Sequence, residues 1–124
     1  MHALRHVHQL LVSGGTMLDL HPVTEEHAED ARGGHLGVLA DPEYANEDLP
    51  NAEASLEQAV VAGLYVPEAE IEFDVLQHYD NAHELIEAKA ERLVSQQELV
   101  DHIRAATPPL RLREHVVLRR YRAT

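Results

Sequence analysis

No cysteine occurs among the 124 residues, which excludes a disulfide, a thiolate zinc site, an iron–sulfur cluster and a cysteine nucleophile. Tryptophan is also absent, and one phenylalanine with four tyrosines leaves leucine, valine and alanine to fill the core. Positive charge is scarce: ten lysines and arginines stand against 22 acidic residues, a formal net charge of −12. Such a balance argues against a nucleic-acid or anionic-membrane partner. No apolar run approaches the roughly 20 residues that a membrane span needs, and the first residues lack a signal-peptide core. The expectation is a soluble, cytoplasmic chain. What is present is enough to fold: 44% of the residues are hydrophobic, recur with clear periodicity, and fit one domain with a modest core.

The chain is organised around Leu10 to Pro22. His2 to Val12 carries Ala3, Leu4, Val7, Leu10 and Leu11 on one helical stripe. Gly14-Gly15 lets that helix end through positive φ without a steric penalty, and Thr16 to Leu20, apolar-rich and too short for a helix, is expected to be a short strand covered on both faces. Val23 to Leu39 reads as a polar β-hairpin turning at Arg32-Gly33-Gly34, and Asp41 to Pro50 as a loop. A helix is expected from an Asn51 cap to Gly63 at C′. Glu70 to Tyr79 is the clearest strand, with Ile71, Phe73 and Val75 on one face and Glu72 and Asp74 on the other. Asn81 with Glu84 makes a capping-box signature for a helix carrying Leu85, Ile86, Lys89 and Leu93, and Ser95 with Glu98 repeats it for an abutting helix through Ile103. Leu110 to Tyr121 closes the pattern as a long strand.

The two long strands carry opposite charge. Glu68, Glu70, Glu72 and Asp74 share one parity, as do Arg111, Arg113, His115 and Arg119. Opposed charges on neighbouring strands contribute roughly 0.2–1 kcal/mol each. An antiparallel pairing therefore sets an acid–base ladder on one face, with Ile71, Phe73 and Val75 against Leu112, Val116 and Leu118 on the other. An anion site built on the arginines is disfavoured by their acidic neighbours.

Ala3-Leu4-Arg5-His6-Val7-His8-Gln9-Leu10-Leu11-Val12-Ser13-Gly14-Gly15, followed by Leu18-Asp19-Leu20-His21-Pro22, resembles the late part of class I S-adenosylmethionine-dependent methyltransferases. There a helix ending in a leucine-rich L-x-P-G-G turn leads into the fifth strand of a doubly wound sheet; Ser13 stands where the proline is usual. The resemblance implies the C-terminal half of that fold. This is an α/β class (α+β in isolation), a partial Rossmann-like sheet of mixed strands with an antiparallel C-terminal strand between the family's fifth and sixth, flanking helices and a small β-hairpin. It spans nearly the whole chain, as a single domain over 1–124, though only the first 22 residues carry a motif. The family's glycine-rich turn after the first strand has no counterpart, because Gly14-Gly15 precedes a strand and Gly33-Gly34 lies in a hairpin. S-adenosylmethionine is thus expected only if another chain or segment completes the domain.

Ten histidines raise a metal site, but His2 and His6 at i, i+4 supply only two ligands, so no metal is expected. The candidate pocket residues are Asp19 and His21, sharing a strand face in the geometry of an oriented acid/base pair, and His78 and Tyr79 at another strand's end. Their structural alternative is hydrogen-bonded strand positions. Three readings follow. One is a non-catalytic methyltransferase-like domain acting through self-association, as a homodimer, or through a partner protein. The second is part of a working methyltransferase completed elsewhere. The third is a small independent enzyme or ligand-binding domain.

Overall fold

In a computed structural model describing residues 1–124, Gly14 takes φ +82° and turns the first helix directly into the first strand. The elements in chain order are α1 (His2–Leu10), β1 (Thr16–Pro22), β2 (Glu26–Glu29), β3 (His35–Leu39), a π-helical turn (Tyr44–Asp48), α2 (Leu49–Val61), β4 (Tyr65–Tyr79), α3 (Ala82–Ala88), α4 (Ala90–Leu93), α5 (Gln97–Ala105) and β5 (Leu110–Ala123). The fold is mixed α/β, with a five-stranded antiparallel sheet that does not close into a barrel. Its order is β1-β5-β2-β3, with β4 also on β5. The last strand therefore pairs with both β1 and β4, the neighbours expected for it. No helix is long and apolar enough to cross a membrane.

The chain divides into two compact units. The first comprises Met1–His21, Pro42–Phe73 and Val116–Thr124, and the second Pro22–Asp41 and Asp74–His115. In the first, α1 and α2 bury Leu56 and Ala59 with Met17 of β1, Tyr65 of β4, and Tyr121 and Ala123 of β5. Leu4, Val7 and Leu11 pack on this core from α1. Leu10 does not, although its spacing put it on the stripe: it is 74% exposed, because it stands roughly 100° or more round the helix from Leu4 and Leu11. Gly14 N–H donates to the Ala123 carbonyl, and Ala123 N–H to that of Gly15, both at 2.8 Å. The Tyr65 hydroxyl donates to the Leu4 carbonyl at 2.8 Å. The expected loop before Asn51 is helical instead. α2 starts at Leu49 directly after the π-helical turn, with Pro50 among its first residues. Gly63, at φ +77°, follows the helix end as its spacing predicts.

In the second unit, α3, α4 and α5 bury Leu85, Leu93, Leu99, Val100 and Ile103 with Ala28, Leu39, Leu110 and Leu112. The hairpin β2–β3 is antiparallel and pairs through β2 with β5, setting Ala28 opposite Leu112. Its turn is held by the Asp30 carboxylate, which accepts from Arg32 N–H and Gly34 N–H at 2.9 and 2.8 Å. Glu84 N–H donates to the Asn81 side chain and Asp80 N–H to the Glu84 carboxylate, both at 3.0 Å, closing the capping box one residue early. Two expectations fail here. The helix carrying Leu85 through Leu93 breaks at Lys89 (φ −118°, ψ 24°). Ser95 caps nothing either, since α5 begins at Gln97. Gln96 instead reaches across to β3, accepting from Ala40 N–H at 3.1 Å and donating to the Val38 carbonyl at 3.0 Å.

The apolar face expected for β4 is a third correction. Leu112 and Val116 are buried, but Ile71, Phe73 and Val75 are 58%, 38% and 42% exposed. The helices of each unit pack on other residues, so only the two ends of β4, Tyr65 and Tyr79, enter a core.

Candidate functional site

Alternation along β1 places Met17, Asp19 and His21 on its covered face and Leu18 and Leu20 on its open one. Asp19 and His21 then meet as their i, i+2 spacing predicts: His21 Nδ1 lies 2.6 Å from Asp19 Oδ2. The other ring nitrogen is taken as well. His21 Nε2 lies 2.8 Å from Oε1 of Glu53, which stands near the start of α2. The second oxygen of Glu53 accepts from an Arg119 terminal nitrogen at 2.7 Å, and Arg119 Nε donates to Glu70 Oε1 of β4 at 2.5 Å. Five side chains from β1, α2, β5 and β4 thus form one chain of contacts, Asp19–His21–Glu53–Arg119–Glu70.

Each ring nitrogen of His21 thus faces a carboxyl oxygen within hydrogen-bond distance. A general base needs a free nitrogen lone pair within reach of substrate, and His21 offers none without releasing a carboxylate. Burial alone would push the Glu53 carboxyl up, but the hydrogen bonds and charges of Arg119 and His21 more than reverse that and hold it below the usual range. Its partnership with Glu53 in turn pushes the Arg119 guanidinium further above its ordinary value. The arrangement is chemically a tether between α2 and the sheet.

His78 and Tyr79 lie in the second unit and do not form a comparable pair. His78 is exposed, while Tyr79 is buried among Leu85, Leu93 and their neighbours. The Tyr79 hydroxyl has no hydrogen-bond partner, and burial, with the Glu26 charge adding to it, pushes its pKa up. That favours the neutral phenol over a base. No group of three metal-ligating side chains is brought together.

The expected acid–base ladder forms in part. Within the second unit, Asp74 accepts from an Arg113 terminal nitrogen at 2.7 Å and contacts His115 Nδ1 at 2.8 Å. Arg111 turns the other way, donating to Glu29 of β2 at 2.6 Å, and Arg113 Nε shares that carboxylate. Glu29 and Glu53 carry no signal in the sequence, since their partners lie 82 and 32 residues away and neither falls in the ladder pattern. Glu26 is likewise buried against Lys89 and Arg92.

These pairs set the pH dependence. Hydrogen bonds from His115 and then Arg113 hold the Asp74 carboxyl below its ordinary range. For Glu29, burial raises the value and the guanidiniums of Arg113 and Arg111 more than offset it. With folded-state values depressed, the contributions of Glu29, Glu53 and Asp74 are complete above the unfolded carboxyl range of about 4 and are lost as pH falls through the lower folded values. Urea denaturation between neutral and acid pH should show stability level near neutrality and falling below about pH 4, and a Glu53→Gln variant should lose less on acidification than the parent. Equal acid losses in parent and variant would remove Glu53 from this account.

No family model, no curated protein and no solved structure matches the chain.

Proposed function

We propose that this chain is a methyltransferase-like domain without catalytic activity of its own, which works by self-association through the free edge of β1. The observation that carries the reading is β1 itself. It pairs with β5 and with no other strand, and its open face presents Leu18 and Leu20 at 63% and 58% exposure. An apolar, unblunted strand edge is a template for another chain. The only charge on β1 besides its histidine is Asp19, which is engaged by His21. A second copy, itself strongly acidic, therefore meets no carboxylate on this edge, and a two-fold contact would cover both edges together.

The methyltransferase part of the reading is supported by the helix, Gly14-Gly15 turn and strand at the start, and by an antiparallel last strand lying beside both β1 and β4. The non-catalytic part is supported by the absence of a glycine-rich strand–turn–helix and by the occupation of both His21 nitrogens. Two measurements test these parts separately. Sedimentation equilibrium at micromolar concentration should give twice the chain mass of 13.9 kDa, and a clean monomer would reject self-association. Titration calorimetry with S-adenosylmethionine should show no binding tighter than millimolar, whereas one micromolar site per chain would reject the non-catalytic assignment.

A further inference from the structure

β4 has a second edge that serves neither β1 nor β5. The strand is 15 residues long, pairs only with β5, and is exposed along its whole interior from Val66 to His78. Within the first unit its sequence alternates strictly. Glu68, Glu70 and Glu72 take one parity, and Ala69, Ile71 and Phe73 the other. Beside this stretch lies a cleft of about 600 Å³ walled by α2 and β4. Leu56, Val60 and Tyr121 give it an apolar floor, and Glu57 and Glu68 stand at its rim. Three carboxylates of this region share two guanidiniums: Arg119 serves Glu53 and Glu70, and Arg120 stands 4.0 Å from Glu68.

The geometry points to a docking edge for an extended, basic segment of a partner protein, added to the sheet as a further strand along Glu68 to Phe73. Directly opposed residues of paired strands lie on the same face, so the acid/apolar alternation of β4 is matched by a partner alternating basic and apolar residues. Its lysines or arginines would meet the glutamates, and a long aliphatic stem would lie over the cleft floor with its charged head at Glu57 or Glu68. Its apolar residues would cover Ile71 and Phe73. Pro67 carries no N–H, so the added ladder begins after it. A second copy of this chain does not satisfy the same edge, because a two-fold antiparallel pairing about Glu70 or Glu72 sets carboxylate against carboxylate. The inference is independent of the reading of β1 and stands whether or not the chain self-associates there.

The probe is a fluorescein-labelled decapeptide of alternating lysine and valine, titrated into the full chain and followed by anisotropy, with a glutamate–valine decapeptide as control. The expected result is micromolar binding of the basic peptide alone, weakened roughly tenfold when salt is raised to about 0.5 M. Amide exchange should slow at Ala69 to Phe73 when the peptide is bound. Glu57→Lys together with Glu68→Lys should weaken binding at least about tenfold; Glu57→Gln with Glu68→Gln serves the same purpose if the charge reversals disturb folding. Absence of binding below millimolar peptide would overturn the proposal. So would equal binding of the acidic peptide, protection at Thr16 to Leu20 instead, or protection of Ala69 to Phe73 by self-association without peptide.

Discussion

Met17→Lys should unfold the first unit, while Leu18→Lys, one residue along, should leave the fold intact and convert a dimer into a monomer. The contrast follows from the alternation of β1. Met17 is buried with Leu56, Ala59, Tyr65 and Tyr121, and an ammonium there loses the methionine's packing and has no acidic partner inside that cluster. The cost should exceed about 3 kcal/mol, enough to remove much of the stability of a small domain. Leu18 is on the open face, and a surface substitution away from special features typically changes stability by no more than about 0.5 kcal/mol. Its effect belongs to association, where two added ammonium groups would face each other across a two-fold axis. Circular dichroism melts and sedimentation equilibrium on the two variants read these outcomes separately. A Leu18→Lys protein that folds and remains dimeric would remove β1 from the interface, and a Met17→Lys protein that melts like the parent would remove Met17 from the core.

Arg119→Glu should be the most damaging charge substitution. Exposed ion pairs contribute little, commonly under about 1 kcal/mol, but Arg119 is not a free surface arginine. Its side chain is only 22% exposed and holds Glu53 and Glu70 together. Reversal leaves three carboxylates converging where a guanidinium stood, and Glu53 then retains only His21. Breaking a buried pair costs about 3–5 kcal/mol; because Glu53 and Glu70 are 38% and 54% exposed, solvent screening reduces the expected loss here to about 2 kcal/mol. Exchanging the charges, with Arg119→Glu and Glu53→Arg in one chain, should recover part of that loss in urea denaturation. Strict additivity of the two single changes would mean that the residues do not act as a pair.

Where local rules govern, the sequence was a good guide to the fold. Gly14 and Gly63 sit at positive φ where a helix had to end and Asn81 caps α3, whereas Thr16 to Leu20, expected as a strand covered on both faces, is covered on one only, with Leu18 and Leu20 63% and 58% exposed. The pairing of β4 with β5 was legible because charge of opposite sign recurred at matching parity. The failures came where partners are distant in sequence. A period of two in Ile71, Phe73 and Val75 announces a face but not what covers it, and no helix does. Ser95 does not cap α5, which starts at Gln97, and the Gln96 amide beside it is spent on two distant backbone groups, those of Val38 and Ala40. Of the site, Asp19 and His21 could be paired from spacing alone. Glu53 could not, and it is Glu53 that takes the second nitrogen and turns a potential acid–base pair into a tether.

The division of the chain into interleaved units bears on the order in which it can fold during synthesis. The second unit draws only on residues 22–41 and 74–115, so all its parts exist once residue 115 has been made. The first unit joins residues about a hundred positions apart: its core needs Tyr121 and Ala123 beside Met17, and the Gly14-Gly15 turn is fastened by Ala123. Until residues 116–123 emerge, α1, β1 and α2 have no β5 to close on, and the apolar side chains of Met17, Leu56 and Tyr65 wait without their partners. Contacts between remote segments form slowly, and apolar surface left open in the interval is where a nascent chain is prone to meet a neighbouring one. The leucine-bearing edge of β1, proposed above as the association surface, stays open through that same interval.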